Sequence, residues 1–311
     1  MTAIKTVAVI GAGNIGAYVI RGFADVLGEN LWVIADGERK ERLERDGLII
    51  NGKRYALHVR TPEEAHGADL VVVSVKYNGL REILTDVRTI AAPHTLVMSL
   101  LNGVDSEEIL SEAVPASQIM PAMIELFSAR QGNEIIMKPT APDMGIHFGT
   151  VQGGPSAEAV QAVCDAFDMS SMDWTCEEDV LAAIWTKYAS NNSSNLPQVP
   201  LDAGAGAFED STHVKWMRQV VWEETRLVAE AEGIHIPQAP PFATSEECPP
   251  QMIFSTLQDY RAGRKTEVEM FAGKLIEIAA RHGLQVPVTE TLYHIICALE
   301  EKSAGLFDYG E

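Results

Sequence analysis

An α/β chain is predicted, with an N-terminal Rossmann-like doubly wound domain at residues 1–175 followed by an all-α C-terminal domain at residues 176–311. The first sign is a buried strand that runs straight into Gly11-Ala12-Gly13-Asn14-Ile15-Gly16 and on into an apolar, helix-compatible segment. The second is the alternation of strand-like and helix-like segments through the first half, which favours a parallel sheet with crossover helices. The third is a change of character from about Cys176 onward, where amphipathic helical patterns replace strands.

The first strand begins by Ile4 and contains Val7-Ala8-Val9-Ile10. In the glycine run, Gly11 allows a tight turn, Gly13 lets the backbone approach a pyrophosphate, and Gly16 lets the helix pack closely on the strand. The helix that follows turns free N–H groups and a positive dipole end toward the phosphates. Gly11, Ala12, Gly13, Asn14, Ile15 and Gly16 are therefore the candidate dinucleotide cradle. A second strand, Leu31 to Ala35, ends at Asp36, about 20 residues beyond Gly16, where an acid suits a ribose hydroxyl.

Glu38 to Asp46 reads as a short exposed helix, and Leu48 to Val59 holds Asn51-Gly52 between apolar runs, a hairpin signal. Asp69 to Val75 and Thr95 to Leu100 read as buried strands. They are followed by Lys76 and by Asn102-Gly103, polar residues at the strand ends where open α/β sheets hold ligands. Segments around 118–126, 130–138 and 143–149 are expected as further strands closing that domain. Beyond them, helices are expected over Val180 to Asn195, Glu209 to Gly233, Thr266 to Gly283 and Thr289 to Glu301. Ile236 to Cys248, rich in Pro, Ala and Ser, is expected as a loop that Pro249-Pro250 ends.

The formal net charge of −20 repels nucleic acid and anionic membrane surfaces, so neither is expected as a partner. It also means that any site for an anionic substrate needs local cations. No apolar run approaches the length of a bilayer span, and the N-terminus lacks the pattern of a targeting peptide. The four cysteines are widely spaced with no C-x-x-C pair, so a cytoplasmic chain with inert thiols is the expectation. The eight histidines show no ligand spacing, and no metal is predicted.

Lys187, Asn191 and Asn195 recur at i, i+4 and i+8, which confines them to one stripe of a helix. Either the stripe is a solvated face or, given the small and apolar residues around it, it lines a cleft; both readings stay open. Thr266 with Glu269 forms a T-x-x-E capping box, which would set Glu267 in the first helical turn. Taken alone, an acid there serves the helix dipole.

These pieces together resemble the ketopantoate reductase (2-dehydropantoate 2-reductase) family over nearly the whole chain. The resemblance rests on Gly11 to Gly16, Ser74-Val75-Lys76, Asn102-Gly103, Trp185-Thr186-Lys187 with Asn191 and Asn195, and Ser255 through Glu267. The last two are the specific ones. What it implies is transfer of hydride from NAD(P)H to the ketone carbon of a small 2-oxo acid, with the active site in a cleft between the two domains. By the same resemblance, Lys187 is the general acid, and Asn102, Asn191, Asn195 and Ser255 orient substrate and nicotinamide. Glu267 would hold the substrate hydroxyl or tune Lys187, and Lys76 would contact the dinucleotide or help hold the cleft closed.

The chain departs from the family pattern at three places: Leu101 stands where a glutamine is frequent, Leu196-Pro197 reverses a common Pro-Leu, and Asp36 stands near the usual basic residue. NADPH is the family default, but the carboxylate at Asp36 favours NADH. Arg39, Lys40 and Arg42 could instead clamp a phosphate or form a solvated helix face. Reduction of 2-dehydropantoate to pantoate, a step toward pantothenate and coenzyme A, is the leading expectation. An NADH-dependent D-2-hydroxyacid dehydrogenase on the same scaffold is the alternative, and a non-catalytic dinucleotide sensor is a third reading. Homodimerisation is left open.

Overall fold

The computed structural model describes residues 3–138, 144–240 and 242–309. The chain divides into two compact units, Met1–Leu101 with Asp105–Ala183, and Asn102–Val104 with Ile184–Glu311. The first unit opens with β1 (Val7–Ile10), α1 (Asn14–Leu27), β2 (Leu31–Ile34), α2 (Gly37–Asp46), β3 (Leu48–Ile50), β4 (Lys53–Tyr55) and β5 (His58–Arg60). It continues through β6 (Leu70–Val73), α3 (Leu84–Ile90), β7 (Leu96–Ser99), α4 (Ser106–Leu110), β8 (Ile119–Met120) and β9 (Ala122–Glu125). The hairpin β10 (Ser128–Gln131) and β11 (Glu134–Met137), then β12 (Gly145–Phe148), α5 (Ala157–Asp168) and β13 (Trp174–Cys176), complete it.

Six strands make a wholly parallel sheet in the order β5-β2-β1-β6-β7-β8. Successive side chains point to opposite faces, and the core divides accordingly. Val7 and Val9 join one apolar cluster with Phe23 of α1 and Phe167 of α5, while Ala8 and Ile10 join another with Leu84, Val87 and Ile90 of α3. Both faces are covered, which is why β1 and β6 read as unbroken apolar runs. Strand order reverses at β1, flanked by β2 and β6, so the loop leaving Ile10 opens at the switch point where such sheets hold ligands.

The expected early strand starts at Val7 rather than by Ile4. The Asn51-Gly52 hairpin forms between β3 and β4, with positive φ at both turn residues (46° and 78°). Its segment does not run on to Val59 as one unit, because β5 leaves the hairpin to pair with β2 at the edge of the main sheet. The later strands do not simply close that sheet either. Only β8 joins it; β11 pairs with β3 of the hairpin and carries β10 on its other edge, and β9, β12 and β13 form a third sheet. The strand expected over 143–149 runs Gly145–Phe148, and Asp143 lies outside the described residues.

In the second part of the chain come α6 (Val180–Leu201), α7 (Ala207–Asp210), α8 (Thr212–Ala231), α9 (Ser255–Arg261), α10 (Lys274–Arg281) and α11 (Pro287–Ser303). Helix α6 overruns its expected end at Asn195 and carries Pro197 and Pro200 inside it. A proline inside a helix costs about 3 kcal/mol through the lost N–H bond and ring clash. Tertiary anchoring offsets that cost: Leu196 and Val199 are buried, and the Gln198 amide donates to Met252 O at 3.2 Å and accepts from Phe254 N at 2.8 Å.

The helix expected over Glu209 to Gly233 is broken at Ser211, whose hydroxyl caps α8 by accepting from Val214 N. The expected capping box at Thr266 does not form. Thr266 N donates to Glu300 Oε1 at 2.7 Å, the Thr266 hydroxyl accepts from Val268 N, and Glu269 instead accepts from Tyr293 OH at 2.8 Å. Glu267 consequently precedes the helix rather than sitting in its first turn. In the expected loop Ile236 to Cys248, Pro241 lies outside the described residues; the rest carries no helix or strand. Among the described residues, no helix is long and apolar enough to cross a membrane.

Candidate active site

In the first unit, the three glycines of the loop after β1 are required for three different reasons. Gly11 has φ +104°, and a Cβ there would stand 2.7 Å from Ser74 O. A Cβ on Gly16 would stand 1.9 Å from Gly11 O, so the first turn of α1 rests directly on the loop backbone. Gly13 has nothing within 4 Å of where its Cβ would be, which leaves open the side from which a pyrophosphate would approach. The Ser74 hydroxyl closes the base of the loop, donating to Gly11 O at 2.8 Å. Helix α1 begins with no side-chain cap and no acid in its first turn, so its amides face outward toward any anion. These features fit a dinucleotide: Ala12, Asn14 and Ile15 carry the cradle's remaining amides, and the side of Gly13 is open.

Beside the cradle lies a cavity of about 90 Å3 lined by Gly11, Ala35, Asp36, Arg39, Ile83 and Asp86 among others. Asp36 is exposed and has extended backbone at the start of α2, its side chain making no cap bond. Of the three basic residues that follow, Arg39 lines the cavity, Lys40 is held by Glu64 at 2.5 Å, and Arg42 is exposed outside the lining. Lys76 is exposed just past β6, two residues after Ser74.

In the second unit, Lys187 Nζ donates to Asn102 Oδ1 at 2.8 Å, joining residues far apart in the chain. Asn102–Val104 belong to this unit although they follow β7 of the first. The lysine is half-buried on α6. Asn195, two turns along, is 3% exposed and turned inward: its Oδ1 accepts from Ser255 Oγ, Thr256 N and Thr256 Oγ1, each at 3.3 Å. It thus does the work of a cap for α9, which has none of its own. Asn191 is half-buried, and its carbonyl accepts from the Asn195 amide at 3.1 Å. The stripe read from the helix period is accordingly mixed, with Lys187 held by Asn102 and Asn195 tied into α9.

Glu267 is 7% exposed, between Thr266 and a π-helical turn at Glu269–Gly273 that α10 continues. The wide turn is closed from α6. Tyr188, fully buried, donates its hydroxyl to Met270 O at 3.1 Å and to Phe271 O. Sequence reasoning did not single out Tyr188 or Thr256. A tyrosine beside the lysine was the available signal for the first, and a hydroxyl residue after Ser255 for the second.

The sequence profile of the family Ketopantoate reductase PanE/ApbA matches residues 7–152, and that of Ketopantoate reductase PanE/ApbA C terminal matches residues 179–300. The 2-dehydropantoate 2-reductase of Pyrococcus horikoshii is 24% identical over 307 residues, covering 96% of this chain and 98% of the relative. That of Halobacterium salinarum is 28% identical over 311 residues, covering 93% and 97%. Among solved structures, the fold resembles D-mandelate dehydrogenase in complex with NADH and anilino(oxo)acetate, with a TM-score of 0.84 at 20% identity over 96% of this chain and 99% of that one. With a parallel dinucleotide-binding sheet, a helical second part and both family profiles matched, the chain belongs to the ketopantoate reductase family of NAD(P)-dependent oxidoreductases acting on CH–OH groups.

Proposed function

We propose that this protein reduces 2-dehydropantoate to pantoate, using NADH in preference to NADPH, with Lys187 as the general acid. The observation that carries the reading is the Lys187–Asn102 hydrogen bond, which holds an ammonium group at one position in a chain of net charge −20. When bound, the reduced nicotinamide supplies the hydride. Lys187 stabilises the charge developing on the carbonyl oxygen and then gives it a proton. Asn102 aims the ammonium without contributing a charge of its own. Asn191 and Ser255 orient the 2-oxo acid, Asn195 supports Ser255 from behind, and Glu267 holds the substrate hydroxyl or tunes Lys187. Gly11 to Gly16 hold the pyrophosphate, Asp36 accepts from the adenosine ribose, and Lys76 contacts the dinucleotide. Within this reading the enzyme works in the cytoplasm on a small acid, without nucleic acid or membrane.

A second reading, an NADH-dependent D-2-hydroxyacid dehydrogenase, is favoured by the likeness to D-mandelate dehydrogenase and by Leu101 where the family frequently has glutamine. Initial rates over a panel of 2-oxo acids, each with NADH and NADPH, test both. The highest kcat/KM is expected with 2-dehydropantoate and NADH. A higher value with phenylglyoxylate would select the second reading, and absence of turnover with every 2-oxo acid would remove both.

A further inference from the structure

We propose that Asp86 is a second discriminator of the dinucleotide, its carboxylate acting with that of Asp36 to exclude the 2′-phosphate of NADPH. The inference rests on the NADH reading above and adds a residue to it. Asp86 lies in the first turn of α3, where an acid ordinarily serves only the helix dipole from an exposed position. Here it lines the cavity beside the glycine loop, together with Ile83 one turn earlier and with Asp36 from the end of β2. Two acids from separate elements thus border one space, and Arg39 is the one basic residue in its lining.

Burial pushes the Asp86 carboxyl above its usual range, and the nearby charges of Asp36 and Glu63 push it further. Arg39 is the cation placed to relieve them; Lys40, the next residue along α2, is committed to Glu64 and stands outside the lining. An adenosine with free ribose hydroxyls brings donors to such a cavity. A 2′-phosphate brings a dianion, whose repulsion by each carboxylate adds to the other's. Apolar Ala35 and Ile83 supply walls for a base, so the acids govern which dinucleotide enters rather than whether one binds.

The test is calorimetric titration of the full chain with NADH and with NADPH, in the absence of substrate, for the unmodified protein, Asp36→Asn, Asp86→Asn and the double variant. Asparagine keeps the shape and an acceptor while removing the charge. Asp86→Asn should lower the ratio of the NADPH Kd to the NADH Kd about five- to tenfold, and the double variant should lower it by about the product of the single effects. Added salt should compress the ratio in the unmodified protein more than in the double variant. An unchanged ratio in Asp86→Asn, or an equal weakening of both dinucleotides, overturns the proposal. Tighter NADPH binding by the unmodified protein would instead overturn the NADH reading; a further fall of the ratio in Asp86→Asn would still support Asp86 as a discriminator, showing Arg39 to outweigh two acids.

Discussion

The two units hold their candidate ligand groups by opposite means. Around β1, the first unit offers main chain: amides of a glycine loop, spaces where a Cβ has no room, and one helix start. Around α6, the second offers side chains, an ammonium fixed by Asn102 and an asparagine spent on capping α9. A backbone site is set by local conformation and is lost by adding an atom. A side-chain site depends on a layer of partners from distant elements, and is lost by removing one. The contrast teaches that one family motif list mixes residues proposed to contact ligands with residues that hold their neighbours in place.

The largest effect expected in the second unit is that of Lys187→Ala. Removing the ammonium takes away an interaction that strengthens as charge develops, so kcat should fall about 10²-fold or more, by the usual scale of general acid catalysis. Dinucleotide affinity, which the proposed reading assigns to the first unit, should be nearly unchanged. Steady-state kinetics with a fluorescence titration of NADH check both. Near-normal kcat with a raised KM would make Lys187 a binding residue and weaken the contrast between the units.

A pair of alanine substitutions sharpens the backbone half of the comparison. Gly16→Ala places a methyl 1.9 Å from Gly11 O, which forces loop and helix apart at a cost of about 1–3 kcal/mol or more. Gly13→Ala meets no atom within 4 Å and keeps an allowed φ of −82°, so Tm should hold or rise slightly. Yet it should weaken NADH binding about tenfold if, as proposed, the methyl would stand on the side from which the pyrophosphate approaches. Thermal melts and calorimetry separate the two. Equal loss of stability in both variants would show that the loop is packed as a unit and that Gly13 faces protein.

This difference also explains what could be read from sequence. The parallel sheet, the glycine loop and the Asn51-Gly52 turn were legible because backbone demands leave a residue-type signature: glycine where φ is positive, unbroken apolar runs where both faces are covered. Lys187 and Asn102 were legible as residue types, but their meeting across the chain was not, since no local pattern encodes it. The capping box at Thr266 misled because Glu300 and Tyr293, both from α11, took the partners the local motif would have used. Likewise α6 ran past Pro197 because Gln198 found Met252 and Phe254, contacts that helix propensity cannot register.

Tyr188→Phe gives the smallest expected effect and the finest cut on the side-chain half. The ring and its packing beside Trp185 and Phe271 are retained. Only the hydroxyl that serves Met270 O and Phe271 O is lost, at a cost of about 1–2 kcal/mol. If the tyrosine only fills space, Tm should fall by a few degrees and kinetics should stay as they were. If it fixes α6 against the turn that follows Glu267, kcat should fall about three- to tenfold with KM little changed, since a misaimed proton donor costs most in the transition state. The second outcome is expected. Its signature is a kcat loss measured well below Tm and a displaced alkaline limb of the pH–rate profile, neither of which a packing defect would produce.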